Sequence, residues 1–182
     1  MNQAINIIPL NADNMAQFLV YLQDHISDNG QGSTPLFLPI SRWNLRLPEH
    51  LADSFQKGLD LDTHTTGWRR GFMAIDQKGE IAGHIDLRSH PQAHTLHRAL
   101  LGMGVHRDFR KKGLGSQMLT FLVEWAQQET ELAYIDLWVM AENKPAIRLY
   151  QKMGFEEIAR VKDKFRIDGE AQTSVMMAKP IQ

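Results

Sequence analysis

The chain has 182 residues, which suits one domain over 1–182 and leaves too little for two ordinary ones. Hydrophobic residues make up 43% and charged residues 23%, so composition points neither to disorder nor to a membrane class. Twenty basic against 21 acidic residues leave a net charge of -1, with no global field for nucleic acid or anionic lipid. The lack of cysteine excludes disulfides, thiolate zinc sites and a cysteine acyl-enzyme.

Residues 5–10 alternate and read as a first strand, and Met15, Phe18, Leu19 and Leu22 fall at helical spacing within 13–28. The first residues carry neither a basic start nor a long apolar stretch, and no run of about 18 apolar residues occurs anywhere. A cytoplasmic location without a membrane partner is the expectation. Residues 29–48 are broken by Gly30, Gly32, Pro35, Pro39 and Pro48 and form a loop long enough to shape a pocket; Pro48 then suits the first turn of a helix to about 57. Residues 71–76 and 81–88 read as a hairpin, and 99–105 as the next strand. Leu114, Met118, Phe121, Leu122 and Trp125 form the apolar stripe of a helix to about 130. A buried strand is expected over 132–140. Asn143 stands as N-cap of a helix over 144–153 that Gly154 ends, and strands over 155–167 and 170–179 meet at the Asp168-Gly169 turn.

The chemistry concentrates in 105–116, Val-His-Arg-Asp-Phe-Arg-Lys-Lys-Gly-Leu-Gly-Ser, a basic glycine-bearing loop between a strand and a helix. Such a loop suits phosphate: glycine lets the backbone approach an anion, the first helical N–H groups point at it, and the helix dipole favours negative charge. A Walker motif and a dinucleotide fingerprint are absent here. His106-Arg107-Asp108 imitates a kinase catalytic loop, but Gly113 stands where its metal-binding asparagine would be, and too few residues precede it for a kinase N-lobe. What remains is Arg110-x-x-Gly113-x-Gly115, followed downstream by Asn143-Lys-Pro-Ala146-Ile-Arg-Leu-Tyr150-Gln-Lys-Met-Gly154-Phe155.

In that order, the two segments resemble the two signatures of the GNAT superfamily of N-acetyltransferases, in the broad group of RimI/RimJ/RimL-like and small-amine acetyltransferases. The resemblance implies an α/β fold: a mixed, mostly antiparallel sheet splayed between strands 4 and 5, with helices on both faces and acetyl-coenzyme A (acetyl-CoA) as co-substrate in the splay. It places the pantetheine arm along Met103, Gly104 and Val105, and the pyrophosphate on Arg110, Lys111, Lys112, Gly113, Leu114, Gly115 and Ser116. Asn143, Ala146 and Tyr150 line the other side. The activity it implies is acetyl transfer to a primary amine of a small molecule. The alternatives are a protein N-terminus as acceptor or a catalytically silent CoA-binding domain.

Residues 100–105 carry no carboxylate where some family members have a glutamate base, so Asp86 and His84 on the neighbouring strand become the candidates for general base, and Tyr150 for general acid. Glu49, Asp53, Asp60 and Asp62 flank the expected acceptor side and suggest a pocket for a cationic amine, although a solvated helix face explains them as well. Trp43 and Trp68 suit either a pocket wall or the core. His90, His94 and His97 lie beside Pro91 with no carboxylate among them and read as a loop, and no metal is expected. A homodimer is compatible with the sequence; a nucleic-acid partner is not.

Overall fold

The computed structural model describes residues 4–182. The predicted periods resolve into β1 (Asn6–Pro9), α1 (Met15–Ile26), α2 (Glu49–Gly58), β2 (Arg69–Ile75), β3 (Ile81–Ser89) and β4 (Arg98–Val105). After a 3-10 turn at Arg107–Phe109 come α3 (Leu114–Glu129), β5 (Tyr134–Met140), α4 (Lys144–Lys152), β6 (Glu156–Ile167) and β7 (Glu170–Pro180). Pro48 stands just outside α2 as its N-cap rather than in its first turn. Asp168 and Gly169 both have positive φ, 53° and 82°, as the tight β6–β7 hairpin requires.

The seven strands form one sheet in the order β1-β2-β3-β4-β5-β7-β6, antiparallel except for the parallel neighbours β4 and β5. These two pair only at Arg98 with Tyr134, Ala99 with Ile135 and Leu100 with Asp136. Beyond Leu100, β4 stays paired with β3 as far as Val105, while β5 stays paired with β7 as far as Met140. Each strand follows its outer neighbour, and the sheet opens between them into a wedge. This is the splay anticipated between strands 4 and 5.

One face carries α3 and α4: Met118, Leu119, Leu122, Ile147 and Tyr150 pack with Ile85, Leu87, Leu101, Ile135 and Leu137. Trp68 belongs to this core and is fully buried, whereas Trp43 is 87% exposed and packs in neither a core nor a pocket. The other face carries α1 and α2, where Phe18, Tyr21, Leu22 and Phe55 close over Met73. Asn29 anchors the loop between these helices, its Oδ1 accepting from the N–H groups of Phe37 and Leu38 at 2.7 and 2.9 Å. The loop then crosses the mouth of the wedge. Leu36 packs on Met140 and Ile167, and the Arg42 N–H donates to Asp168 Oδ2 at 2.9 Å. No helix among the described residues is long and apolar enough to cross a membrane.

Candidate active site

The wedge has a backbone-rich floor at the start of α3. Gly113 caps this helix at φ 84°, and the preceding Lys111 also has positive φ, 61°. The first helical bond runs from the Gln117 N–H to the Gly113 carbonyl, and the N–H groups of residues 111–116 find no acceptor among the described residues. A run of unpaired N–H groups at a helix N-terminus is an anion cradle. A Cβ on Gly113 would meet nothing within 4 Å, so the space above these donors is open. A Cβ on Gly115 would come within 2.8 Å of the Leu149 side chain, so this glycine allows α4 to approach α3.

The predicted basic side chains divide. Lys111 and Lys112 are exposed, with Lys112 Nζ donating to the Asp108 carbonyl at 2.7 Å. Arg110 turns away from the cradle: Nε donates to the Val105 carbonyl at 3.1 Å, Nη1 donates to Thr34 Oγ1 at 3.2 Å, and the guanidinium pairs with Asp28. It ties the end of β4 to the loop after α1.

On the opposite wall, Asn143 Oδ1 accepts from the Ala146 N–H at 3.3 Å and starts α4. Ala146 and Tyr150 are four residues apart and share a helix face. Tyr150 is only 8% exposed, packs edge-on against Phe155, and its hydroxyl has no hydrogen-bond partner among the described residues. Burial pushes its phenol above the ordinary tyrosine range, so the proton stays on oxygen at neutral pH.

On the α1 side, β4 presents Gly102 and Gly104, and the register sets them opposite Asp86 and His84. A Cβ on Gly104 would fall 2.6 Å from His84 Cε1 and would overlap His25 Nε2. The missing side chains let two imidazoles reach the strand. His84 Nδ1 and the Tyr21 hydroxyl are 3.0 Å apart. His25, at a core position of α1, stacks on Tyr21 and leaves its buried Nδ1 without a partner among the described residues. Burial, aided by the positive charge of Arg69, pushes His84 down to about 3; burial, aided by His84 and Arg110, takes His25 to about 3 as well. Both rings are neutral at pH 7.

This neutrality has a cost in acid. The folded values lie below the unfolded value of 6.5, so below that pH the unfolded chain takes up protons that the native state refuses. Stability is therefore fully present above pH 6.5 and falls toward pH 3, by up to about 1.4 kcal/mol per pH unit for each ring. Urea unfolding at pH 7, 6 and 5 is expected to give falling midpoints, with a shallower fall in His25→Phe.

Asp86 is placed differently. It is 2% exposed, and its Oδ2 accepts from Arg69 Nε at 2.9 Å and Arg88 Nη1 at 3.4 Å. Asp136, at the last β4–β5 pair, is fully buried and takes Arg98 Nε at 2.7 Å and His90 Nε2 at 2.9 Å. His90 thus joins an ion pair that pins the apex of the wedge. No group of three or more metal-ligating side chains converges among the described residues. The acidic residues expected at the acceptor side lie on and just after α2; Asp53 pairs with Lys57 at 2.7 Å and Asp62 with His64 at 2.8 Å. His25 escaped the sequence reading because one histidine in a helix stripe looks like core; its only signal was the Gly-x-Gly alternation in β4 that it needs.

The sequence pattern of the acetyltransferase (GNAT) family matches residues 40–155. The chain belongs to this family. The GNAT chain is 25% identical over 114 residues to the catalytic subunit of the N-terminal acetyltransferase B complex of Arabidopsis thaliana, covering 62% of this chain and 65% of that protein. It is 28% identical over 78 residues to an L-amino acid N-acetyltransferase of Escherichia coli K12, covering 43% and 48%. These matches span about half to two thirds of the relatives. A GNAT-family acetyltransferase structure from Streptococcus pneumoniae superposes with a TM-score of 0.78 at 21% identity, covering 98% of this chain and 100% of that one, and has the same fold.

Proposed function

We propose that this GNAT protein transfers an acetyl group from acetyl-CoA to a primary amine, most simply that of a small molecule. The observation that carries this reading is the wedge itself, with the unpaired N–H cradle of 111–116 on one side and the Tyr150 hydroxyl on the other. Residues 111–116 would hold the pyrophosphate through backbone N–H groups. Met103, Gly104 and Val105 lie on the strand edge freed from β5 and would pair with the pantetheine arm. Asn143, Ala146 and Tyr150 would close the opposite side. Acetyl-CoA supplies the activated carbonyl; the protein supplies position, donors and proton transfer.

The amine nitrogen attacks the thioester carbon directly, since the chain holds no cysteine to carry the acetyl group. The attacking nitrogen must lose a proton, and the sulfur must gain one as the C–S bond breaks. Of the two predicted bases, Asp86 has its Oδ2 committed to two guanidiniums, which leaves His84 beside Gly104; a ring held unprotonated down to about pH 3 is a weak base, so it takes the proton only from the cationic nitrogen of the tetrahedral adduct. His84→Gln is expected to lower kcat/KM at least about tenfold, with the acid limb of the pH profile following the acceptor amine rather than an enzyme group near 6.5. Wild-type kcat/KM at all pH values would remove His84 from the role.

The loop 27–48, tied down by Leu36 and Arg42, roofs the acceptor side and favours a compact acceptor. The N-terminal acetyltransferase relative keeps peptide N-termini as the second reading. Following release of free CoA thiol across amines, amino acids and peptides decides between them. Turnover of peptides alone selects the second reading, and cofactor binding without any turnover leaves a CoA-binding protein.

The cradle has its own test. Gly113→Val puts a β-branched side chain at φ 84° and projects it into the space above the donors, while the interior is left untouched. Calorimetry is expected to show acetyl-CoA affinity reduced at least about tenfold. Gly113 is a cleaner probe than Gly115, whose replacement would strike Leu149 and move α4.

A further inference from the structure

Around the wedge on the α1 face, the charge is basic. Leu100 and Asp136 are the last β4–β5 pair, so Gly102 on β4 and Trp138 on β5, each two residues further, stand at one level across the opening on the same face. Each carries a cation. The Arg88 guanidinium lies over Gly102, with Nη1 3.1 Å from where a Cβ would be, and its side chain keeps 35% of its surface exposed. Lys164 Nζ lies 2.9 Å above the Trp138 ring and has no carboxylate within ion-pair distance among the described residues.

The nearby acids do not cancel this charge. Asp86 is shared between Arg69 and Arg88, so one carboxylate faces two guanidiniums. Asp136 is taken by Arg98 and His90. On the α1 side, Asp24 pairs with Arg107 and His106, Asp28 with Arg110, and the buried His25 and His84 rings are neutral. Across the loop, Asp168 and Glu170 face the single Arg42, and the one negative charge left over sits on Glu170, whose side chain is 63% exposed to water. Arg88 and Lys164 therefore offer donors and uncompensated charge where an acceptor would approach the thioester. Burial lowers the Lys164 pKa, as expected of an ammonium partly withdrawn from water with no anion beside it.

Resting on the transfer reading above, we propose that the acceptor amine carries a carboxylate close to the reactive nitrogen, and that Arg88 and Lys164 bind that carboxylate from opposite walls of the wedge. A fork-shaped guanidinium suits two carboxylate oxygens, and an ammonium adds a point charge. Polyamines are disfavoured: a second ammonium at this level would face two like charges. The carboxylate belongs either to a free amino acid or to an acidic residue at a peptide N-terminus, since the local chemistry is the same.

The test compares matched acceptors: the twenty L-amino acids, their carboxamides, spermidine, and tetrapeptide amides that begin with Asp or Asn or have one of these second. Calorimetric binding in the presence of CoA and kcat/KM with acetyl-CoA are both measured. The expected result is a preference of at least tenfold for the carboxylate over its amide, in the amino-acid arm or in the peptide arm according to the source, collapsing toward unity in Arg88→Gln and Lys164→Gln. Cofactor affinity and melting temperature check that these variants fold. Persistence of the carboxylate preference in binding without acetylation of any compound would sink the transfer reading and uphold this one. Equal treatment of acid and amide, preference for spermidine, no binding of any acceptor, or an unchanged preference in both variants would overturn it.

Discussion

Tyr150→Phe is expected to lower kcat by about 10²-fold, the low end of the range for a positioned proton donor, while acetyl-CoA affinity stays within about threefold. The substitution keeps the ring, its edge contact with Phe155 and its place four residues after Ala146, and removes one oxygen. The residue is buried, its phenol stays protonated at neutral pH, and its oxygen has no partner among the described residues, so removing that oxygen leaves no other group unsatisfied. A thiolate leaving into this apolar wall needs a proton or a strong donor, and no other hydroxyl or ammonium on α4 shares the Ala146 face. Stopped-flow turnover against calorimetric affinity separates chemistry from binding. Wild-type kcat in the phenylalanine variant would make Tyr150 a packing residue and return the CoA thiolate to solvent for its proton.

What could be read in the chain beforehand follows from how local each feature is. The cradle was legible because Gly113, Gly115 and the stripe Leu114, Met118 and Leu122 lie in one stretch, and local backbone rules dictate what they form. The α4 cap and its Ala146–Tyr150 face were legible for the same reason. The direction of Arg110 was not, because its partners Asp28 and Thr34 come from the loop after α1. The acceptor side was hardest. Its character depends on cross-strand register, which brings Asp86 to Gly102, His84 to Gly104, and, across the gap, Lys164 to Trp138. Read along the chain, the acidic run near α2 suits either a cation pocket or a solvated helix face; the fold pairs Asp53 and Asp62 locally and sets Arg88 over Gly102 and Lys164 over Trp138.

The same burial makes Asp86 a structural risk. Asp86→Ala is expected to lower the unfolding free energy by about 3–5 kcal/mol, the usual cost of breaking one side of a buried ion pair. For a chain of this length that corresponds to a melting temperature lower by roughly 6–20 °C. The cost arises mainly at Arg69. Its side chain is 3% exposed, its Nε donates to Asp86 at 2.9 Å, its Nη1 donates to Ser54 at 2.9 Å, and its guanidinium lies 3.5 Å over the Phe55 ring. Without the carboxylate, that charge stays in the α2 interface with a hydroxyl and a ring as its remaining partners. Arg88, more than a third exposed, can turn to water and adds little. The double variant Asp86→Ala, Arg69→Met should recover much of the loss, since it removes the stranded charge and keeps an apolar chain over Phe55. Asp53→Ala, which breaks the exposed pair with Lys57, is expected to stay within about 0.5 kcal/mol and serves as the control. Activity lost in Asp86→Ala thus identifies a base only when measured well below the variant's own melting temperature. If Asp86→Ala melts with the wild type, Arg69 does not depend on this carboxylate, and Asp86 regains its claim to the amine proton.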